Sequence, residues 1–386
     1  MSLELDEHRQ YLEDDRRMTA FASAIASTVR PGDVVVDLGC GTGILGLLAC
    51  RAGASRVYAI DSGGMAEVAR ALASANGLTD RITIVNGHSQ QVSLPERADL
   101  VVCDQIGHFG FEAGLLEFLE DARRRFLKPD GRCLPEGTQL SIAPVEVPEL
   151  WHQTTFWGTR PSGFDMGPAQ EIAWNSGHPW RVEAGDLLAP GRAVATLTPG
   201  QDNSYVSFTV DLAIERAGTL HGIAGWFVAH LNETTTLTNA PGDPERIARR
   251  NAVLPVRRPL AVSIGQVLRV QMLIRPYELL VKWVVELWPD AKIACAGDVS
   301  RRLDRLEHST FAGMLLSPDV VRRTRPAFVP RLAERGRARK LVLDLIDGRS
   351  SVADIERALF DQYPTLFVDP AGAGGFVAEV VTRYAE

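Results

Sequence analysis

A glycine-rich turn follows a run of three valines in the first part of the chain. Residues 34–36 are valine, residues 37–43 read D-L-G-C-G-T-G, and the apolar residues 44–50 follow as the start of a helix. Three glycines let the backbone approach a ligand closely, and the amide groups at a helix N-terminus point toward that ligand. This order of strand, turn and helix predicts a site for a nucleotide-like molecule.

The acidic residues near this turn indicate which molecule it binds. Asp61 ends the next predicted strand, where its carboxylate can accept hydrogen bonds from both ribose hydroxyls. Asp37 would repel a pyrophosphate but would attract the ammonium group of an aminoacyl moiety. The site therefore suits the cationic sulfonium nucleoside S-adenosyl-L-methionine better than a nicotinamide cofactor. The structural alternative is a plain tight turn with Asp61 as a helix N-cap.

The composition argues against several broad functions. The 386 residues carry a formal net charge of -7, so the chain lacks the broad positive field that attracts nucleic acid or an anionic membrane. The N-terminus has no secretion-signal pattern, and no apolar run is long enough to cross a bilayer. We therefore expect a cytoplasmic protein.

Five widely spaced cysteines indicate free thiols, and no zinc-binding pattern is visible.

The elements around the turn predict a doubly wound α/β domain. A helix is expected over residues 7–28, and short apolar runs at residues 34–36, 57–60, 82–85 and 100–103 are typical of parallel strands. Residues 127–135 are interpreted as the last helix end and turn. This Rossmann-like domain is predicted to span residues 1–135.

Two further domains are predicted. Residues 136–295 alternate in the manner of β-strands and favour an antiparallel barrel or sandwich, interrupted at residues 151–185 by an insertion rich in Trp, Gly and Pro. From residue 316 the pattern is helical again. Residues 351–354 resemble a capping box at a helix start, and residues 316–386 predict a small helical domain.

Residues 34–145 resemble the protein arginine methyltransferase family. The likeness is strongest at residues 37–45, 52–61 and 126–131, and looser likenesses to the family's dimerisation arm and barrel occur at residues 162–166, 225–227 and 238–241. The resemblance implies a class I S-adenosyl-L-methionine-dependent methyltransferase with a Rossmann-like domain, a β-barrel domain and a homodimeric assembly.

The resemblance also assigns cofactor contacts. It implies that Arg17 meets the cofactor's carboxylate, that Asp61 binds the ribose, and that Ser89 and Gln90 contact the adenine. As alternatives, Arg17 could be a solvated helix charge and the other two could be ordinary loop residues. The full predicted set is Arg17, Asp37, Gly39, Cys40, Gly41, Gly43, Ile44, Asp61, Ser62, His88, Ser89 and Gln90.

The family's reaction centre is a loop after the fourth strand that carries two glutamates. Asp104 and Glu112 fall at the corresponding positions, and His108 between them is a candidate pocket residue. Two carboxylates can orient a planar guanidinium and draw its charge toward the nitrogens they hold. The structural alternatives are a strand-end turn residue for Asp104, a first-turn helix residue for Glu112 and a structural or solvated role for His108.

The sequence departs from the family at several points. Asp104 is shorter than a glutamate, the loop is one residue shorter, and residues 247–249 read Ile-Ala-Arg where the family has a histidine-containing barrel loop.

Residues 346–359, 363–364 and 376–381 resemble PqqD-like winged-helix modules that hold leader peptides, although a packing appendage would show the same apolar pattern.

Three hypotheses about function follow. The first is an N-methyltransferase acting on a guanidine or amine of arginine, a peptide or a specialised metabolite of natural product biosynthesis. The second is a C- or O-methyltransferase of a natural product or modified peptide. The third is a non-catalytic binding protein that retains the methyltransferase fold.

Overall fold

The computed structural model describes residues 3–315, 317–323, 326–367 and 369–385. The chain divides into two compact units, Met1–Met314 and Leu315–Glu386. The predicted boundary near residue 135 falls inside the first unit, so the division into three domains stays a prediction. Among the described residues, no helix has both the length and the apolar character that a membrane crossing requires. The cytoplasmic location also stays a prediction.

The N-terminal helical segment is broken in two. Helix α1 spans Leu3–Glu13 and helix α2 spans Asp15–Thr28, where the sequence predicted one helix. Asp14 lies between them, and its carboxylate accepts hydrogen bonds from the backbone N–H of Arg17 at 3.2 Å and of Ala248 at 2.7 Å. The break arises because an N-cap aspartate starts a new helix and also binds a distant loop.

A five-stranded parallel sheet forms the first layer and confirms the α/β class. Its order is β3-β2-β1-β4-β5, and Leu38 pairs with Cys103 where β1 and β4 lie side by side. The strand order reverses between these two strands, which is where open α/β sheets bind ligands. The elements are β1 Val34–Leu38, α3 Ile44–Arg51, β2 Arg56–Asp61, α4 Met65–Ala75, β3 Ile82–Asn86, β4 Ala98–Cys103, α5 Leu115–Arg125 and β5 Leu127–Leu134.

The interpretation of residues 127–135 as a helix end and turn was wrong. Helix α5 ends at Arg125, and Leu127–Leu134 forms β5, which pairs in parallel with β4. The register shifts between Ala98 and Leu100. This irregularity lets a segment containing Pro129 and Gly131 join the sheet, because a bulge leaves some residues outside the regular ladder.

Two antiparallel sheets form the rest of the first unit. Their orders are β7-β12-β10-β6-β8, with β11 on β10, and β15-β14-β13-β9. Buried side chains from both sheets share one hydrophobic core, so the sheets pack against each other; closure into a barrel stays a prediction. The elements are β6 Gly137–Val145, α6 Pro148–Thr155, α7 Gly167–Trp174, β7 His178–Trp180, β8 Arg192–Leu197, β9 Val206–Ala213, β10 Gly218–His230, β11 Thr236–Thr238, β12 Asn251–Val262, β13 Val267–Arg275, β14 Leu280–Trp288, α8 Ala291–Ala296 and β15 Asp304–Ser309.

The loop after β4 is anchored on these antiparallel sheets. Phe109 is 2% exposed and belongs to their core. Its ring carbons lie 2.6–2.7 Å from the position that a side chain on Gly225 of β10 would occupy. A residue with a side chain would collide with the ring, so glycine at this position is a packing requirement. The loop thereby connects the end of the parallel sheet to β10.

The second unit is helical in the residues described. Helices α9 Pro318–Arg323, α10 Glu334–Leu345, α11 Val352–Gln362 and α12 Pro370–Tyr384 follow one another, and Val342, Leu359 and Val377 are fully buried between the last three. Ser351 and Asp354 form the predicted capping box at the start of α11. No strand occurs in the described part of this unit, and its winged-helix assignment stays a prediction.

Candidate active site

The glycine turn is shaped by close approaches to its backbone. Gly39 and Gly41 have φ angles of 65° and 51°, a region that side-chain-bearing residues rarely adopt. A Cβ on Gly39 would lie 2.6 Å from the Gln105 amide nitrogen, and one on Gly41 would collide with the His8 ring. The backbone of the turn is therefore in close contact with a residue of α1 and with a residue of the loop after β4.

Asp61 holds the turn in place. One carboxylate oxygen accepts a hydrogen bond from the Gly41 N–H at 2.9 Å, and the other accepts one from the Gly63 N–H at 2.7 Å. Each oxygen keeps a further lone pair that can accept a ribose hydroxyl. Asp61 precedes α4, whose N-cap residue is Gly64, so the alternative of Asp61 as the N-cap was wrong. Ser62 next to it is exposed.

Asp37 is a buried acid with one unused oxygen. One oxygen accepts a hydrogen bond from the Gly46 N–H at 2.8 Å, whereas the other is buried without a partner. Burial raises the pKa of Asp37 to about 7, because a charged carboxylate loses its hydration there. A ligand ammonium group beside the unused oxygen would satisfy it and favour its ionised form.

The residues predicted to contact adenine differ in burial. Ser89 is buried, and its hydroxyl oxygen has no hydrogen-bond partner. His88 and Gln90 on either side are exposed, and Gln90 lines a separate hollow together with Glu117. Ser89 is thus the one member of this trio with an unsatisfied buried group that a ligand could satisfy.

A cavity of about 320 Å³ lies where the glycine turn meets the loop after β4. Seven of the fifteen predicted site residues, counting both the cofactor set and the reaction-centre loop, line it, and they come from helix α2, the turn, the start of α3 and the loop. Asp37, Gly41, Gly43, Asp61, Ser62, His88, Ser89 and Gln90 do not line it. The lining residues are His8, Tyr11, Leu12, Arg17, Gly39, Cys40, Thr42, Ile44, Leu45, Asp104, Gln105, Gly107, His108, Glu112, Ala113 and Arg249.

Arg17 and Asp104 form a buried ion pair. Their side chains are 8% and 9% exposed, and one Asp104 oxygen accepts hydrogen bonds from Nε of Arg17 at 2.5 Å and from its Nη2. The alternative of Arg17 as a solvated helix charge was therefore wrong. The second Asp104 oxygen is buried without a partner, so this carboxylate holds one guanidinium and can accept another N–H donor.

Glu112 is fixed by the loop that carries it. Its carboxylate accepts hydrogen bonds from the backbone N–H of His108, of Phe109 at 2.9 Å and of Phe111 at 3.3 Å. Helix α5 begins only at Leu115, so the alternative of a first-turn helix position was wrong. Three amide donors hold the carboxylate at the cavity wall, which is the preorganisation that a charged substrate requires.

His108 stands at the rim of the cavity. Its Nδ1 lies 3.1 Å from the backbone oxygen of Arg250, and its own backbone oxygen accepts a hydrogen bond from the Asn239 side chain at 2.8 Å. These contacts tie the loop to the antiparallel sheets. They are structural contacts, and they leave Nε2 of the ring as the nitrogen that can face a ligand.

The sequence interpretation assigned no site role to several cavity residues. His8, Tyr11, Gln105 and Arg249 are among them. His8 and Tyr11 are three residues apart and so share one face of α1. That spacing was the available signal, and the many acidic residues of α1 obscured it.

Comparisons with known proteins match the chain to methyltransferases. Residues 19–138 match the family model described as ribosomal protein L11 methyltransferase (PrmA). The arginine N(omega)-methyltransferase of Streptomyces achromogenes subsp. streptozoticus is 30% identical over 288 residues, 69% of this chain and 75% of that protein. The probable protein arginine N-methyltransferase 6 of Arabidopsis thaliana is 34% identical over 169 residues, 43% of this chain and 39% of that protein.

A solved structure shares the fold. The PRMT1 enzyme-prozyme heterotetrameric complex with AdoHcy from Trypanosoma brucei matches with a TM-score of 0.65 and 21% identity, over 78% of this chain and 97% of that one. The chain spans only 39% to 66% of the length of several other curated relatives. Because the Streptomyces relative is matched over 75% of its length at 30% identity, the chain belongs to the arginine methyltransferase-like family of S-adenosyl-L-methionine-dependent methyltransferases.

Proposed function

We propose that this chain transfers a methyl group from S-adenosyl-L-methionine to a guanidine nitrogen of arginine, either free or within a peptide. The observation that carries the proposal is the loop after β4, where Asp104 and Glu112 line one cavity beside the glycine turn. Asp104 already holds a guanidinium, that of Arg17, on one oxygen. The names of the Streptomyces and Arabidopsis relatives support the same acceptor.

The residues around the turn fit the proposed cofactor. The unpartnered oxygen of Asp37 suits an ammonium group, the lone pairs of Asp61 suit the ribose hydroxyls, and the unpartnered hydroxyl of Ser89 suits a base. Arg17 is the buried cation available for the carboxylate, but it must then share its N–H groups with Asp104. When bound, the cofactor supplies a methyl group on a positively charged sulfur, which is already an activated donor.

The two acids then act by positioning. They hold two nitrogens of the acceptor guanidinium and draw positive charge toward them, so the remaining nitrogen gains lone-pair character. With the cofactor bound, that nitrogen would receive the methyl group that the cofactor's sulfur gives up, and the proton that the nitrogen loses would pass to water. Ordered reactants can lower such a barrier by several kcal/mol. A strong base is therefore not obligatory, and the rigid amide cage around Glu112 supports this mechanism.

The other hypotheses lead to different products. A methyl group found on carbon or oxygen would favour the C- or O-methyltransferase. A protein that binds no S-adenosyl-L-methionine would favour the non-catalytic alternative, which the complete glycine turn argues against. No contact within the cavity favours a specialised metabolite over arginine.

We expect loss of turnover when either acid is neutralised. Asp104→Asn and Glu112→Gln should each lower kcat by about 100-fold or more, because each removes a charge that orients the acceptor. Binding of S-adenosylhomocysteine, measured by calorimetry, should persist in Glu112→Gln. Breaking the buried ion pair can also cost about 3–5 kcal/mol of stability, so Asp104→Asn needs a thermal-unfolding check.

The matched control is Glu215→Gln, an exposed carboxylate after β9, which should methylate at the wild-type rate. Both neutralised variants methylating arginine at the wild-type rate would refute the role proposed for the acids.

Cofactor affinity should depend on pH through Asp37. Its pKa is raised to about 7, so the carboxyl is mostly protonated below that pH and cannot attract an ammonium group. Binding of S-adenosylhomocysteine should therefore tighten about tenfold between pH 6 and pH 8, with release of a proton. Calorimetry in two buffers of different ionisation enthalpy measures both effects.

Asp37→Asn should bind weakly at every pH, and exposed Asp80→Asn should keep the wild-type profile. A flat wild-type profile would contradict this assignment.

We also propose a homodimer formed through the insertion that contains α6 and α7. Phe156, Trp157 and Phe164 are 47%, 40% and 69% exposed there, and an apolar cluster of this kind is typical of an interface. Light scattering should give twice the 42.1 kDa mass of one chain. The variant with both Trp157→Ser and Phe164→Ser should be monomeric, whereas Ile264→Ser, at a residue 70% exposed in the turn after β12, should stay dimeric. A monomeric wild-type protein would overturn the proposal.

A further inference from the structure

A second cavity of about 280 Å³ adjoins the one described above. Tyr11, Arg17, His108 and Arg249 line both. Two guanidinium groups contact the Tyr11 ring, with the carbon of Arg17 4.8 Å and that of Arg249 5.5 Å from its centroid. Arg249 therefore lines the cavity that holds Asp104 and Glu112, and it also lines the second cavity.

The charge of Arg249 is not neutralised by the protein. Its neighbours Arg16 and Arg246 form ion pairs with Glu245 and Glu183, but within the described part of the chain Arg249 forms no ion pair with a carboxylate. Its contact is the face of the Tyr11 ring, which orients the guanidinium without quenching its charge.

The acids of the second cavity are already engaged. Glu7 accepts a hydrogen bond from the Tyr11 hydroxyl at 2.8 Å, and Asp14 accepts the amides of Arg17 and Ala248. Arg250, the other cation of this cavity, is exposed. Arg249 is therefore the half-buried cation that remains available to an anionic ligand.

We infer that Arg249 binds the α-carboxylate of the acceptor, so that the acceptor is free arginine or a similar guanidino acid. This inference rests on the proposed function. Free arginine carries a guanidinium at one end and a carboxylate at the other, and the first cavity is lined both by two acids and by Arg249, a cation without a carboxylate partner among the described residues. An arginine inside a peptide has no α-carboxylate, and it would leave Arg249 without a partner.

The test compares ligands with and without the carboxylate. L-arginine and agmatine, its decarboxylated analogue, are titrated by calorimetry into the protein loaded with S-adenosylhomocysteine. Wild-type protein should bind L-arginine about tenfold or more tightly than agmatine, because a charge-assisted hydrogen bond contributes at that level. Arg249→Gln should reduce L-arginine affinity to that of agmatine and leave agmatine affinity unchanged. Arg249→Lys should restore part of the preference, and Arg192→Gln, at an exposed arginine of β8, should behave as wild type.

Three binding results would overturn the inference. They are equal affinity of the wild type for L-arginine and agmatine, an unchanged preference in Arg249→Gln, and weaker S-adenosylhomocysteine binding in Arg249→Gln, which would assign Arg249 to the cofactor. Mass spectrometry of products separates this from the proposed function. Methylation of an arginine peptide but not of L-arginine would refute the inference alone, and methylation of neither would refute the proposed function.

Discussion

The buried ion pair between Arg17 and Asp104 is the interaction on which the site depends. It joins α2 to the end of β4, so the N-terminal helices are fixed over the glycine turn and His8 is brought against Gly41. Two charges removed from water are stable only because each satisfies the other. The same pair engages one Asp104 oxygen and leaves the other buried without a partner, on a residue that lines the cavity. The cavity wall on the α1 side would lose its anchor without this contact.

The loop after β4 is rigid because two layers hold it. The Glu112 carboxylate accepts hydrogen bonds from three backbone amides, and the Phe109 ring packs over Gly225 of the antiparallel sheet. The parallel sheet determines where this loop begins, since β1 and β4 end together at the point where the strand order reverses. The loop between β11 and β12 supplies Arg249 and the contact to His108. The cavity is therefore lined by groups from both layers.

Local patterns in the sequence predicted much of this arrangement, and contacts distant in the chain explain the remainder. Short apolar runs identified β1 to β4, because a buried parallel strand is continuously apolar. The same rule missed β5, whose Lys, Pro, Asp and Gly join the sheet only through a register shift against β4. The break at Asp14 was missed because it depends on the amide of Ala248, 234 residues away. The turn was predicted from its spacing and both acids from the family resemblance, but Tyr11 and Arg249 meet only in the folded chain.

A crystal structure of the complex with S-adenosylhomocysteine and L-arginine would test the account most directly. The account predicts the ribose hydroxyls on Asp61, and the arginine guanidinium between Asp104 and Glu112 with its third nitrogen facing the sulfur. An arginine held away from these two acids, or a nucleoside that does not lie across the glycine turn, would contradict it.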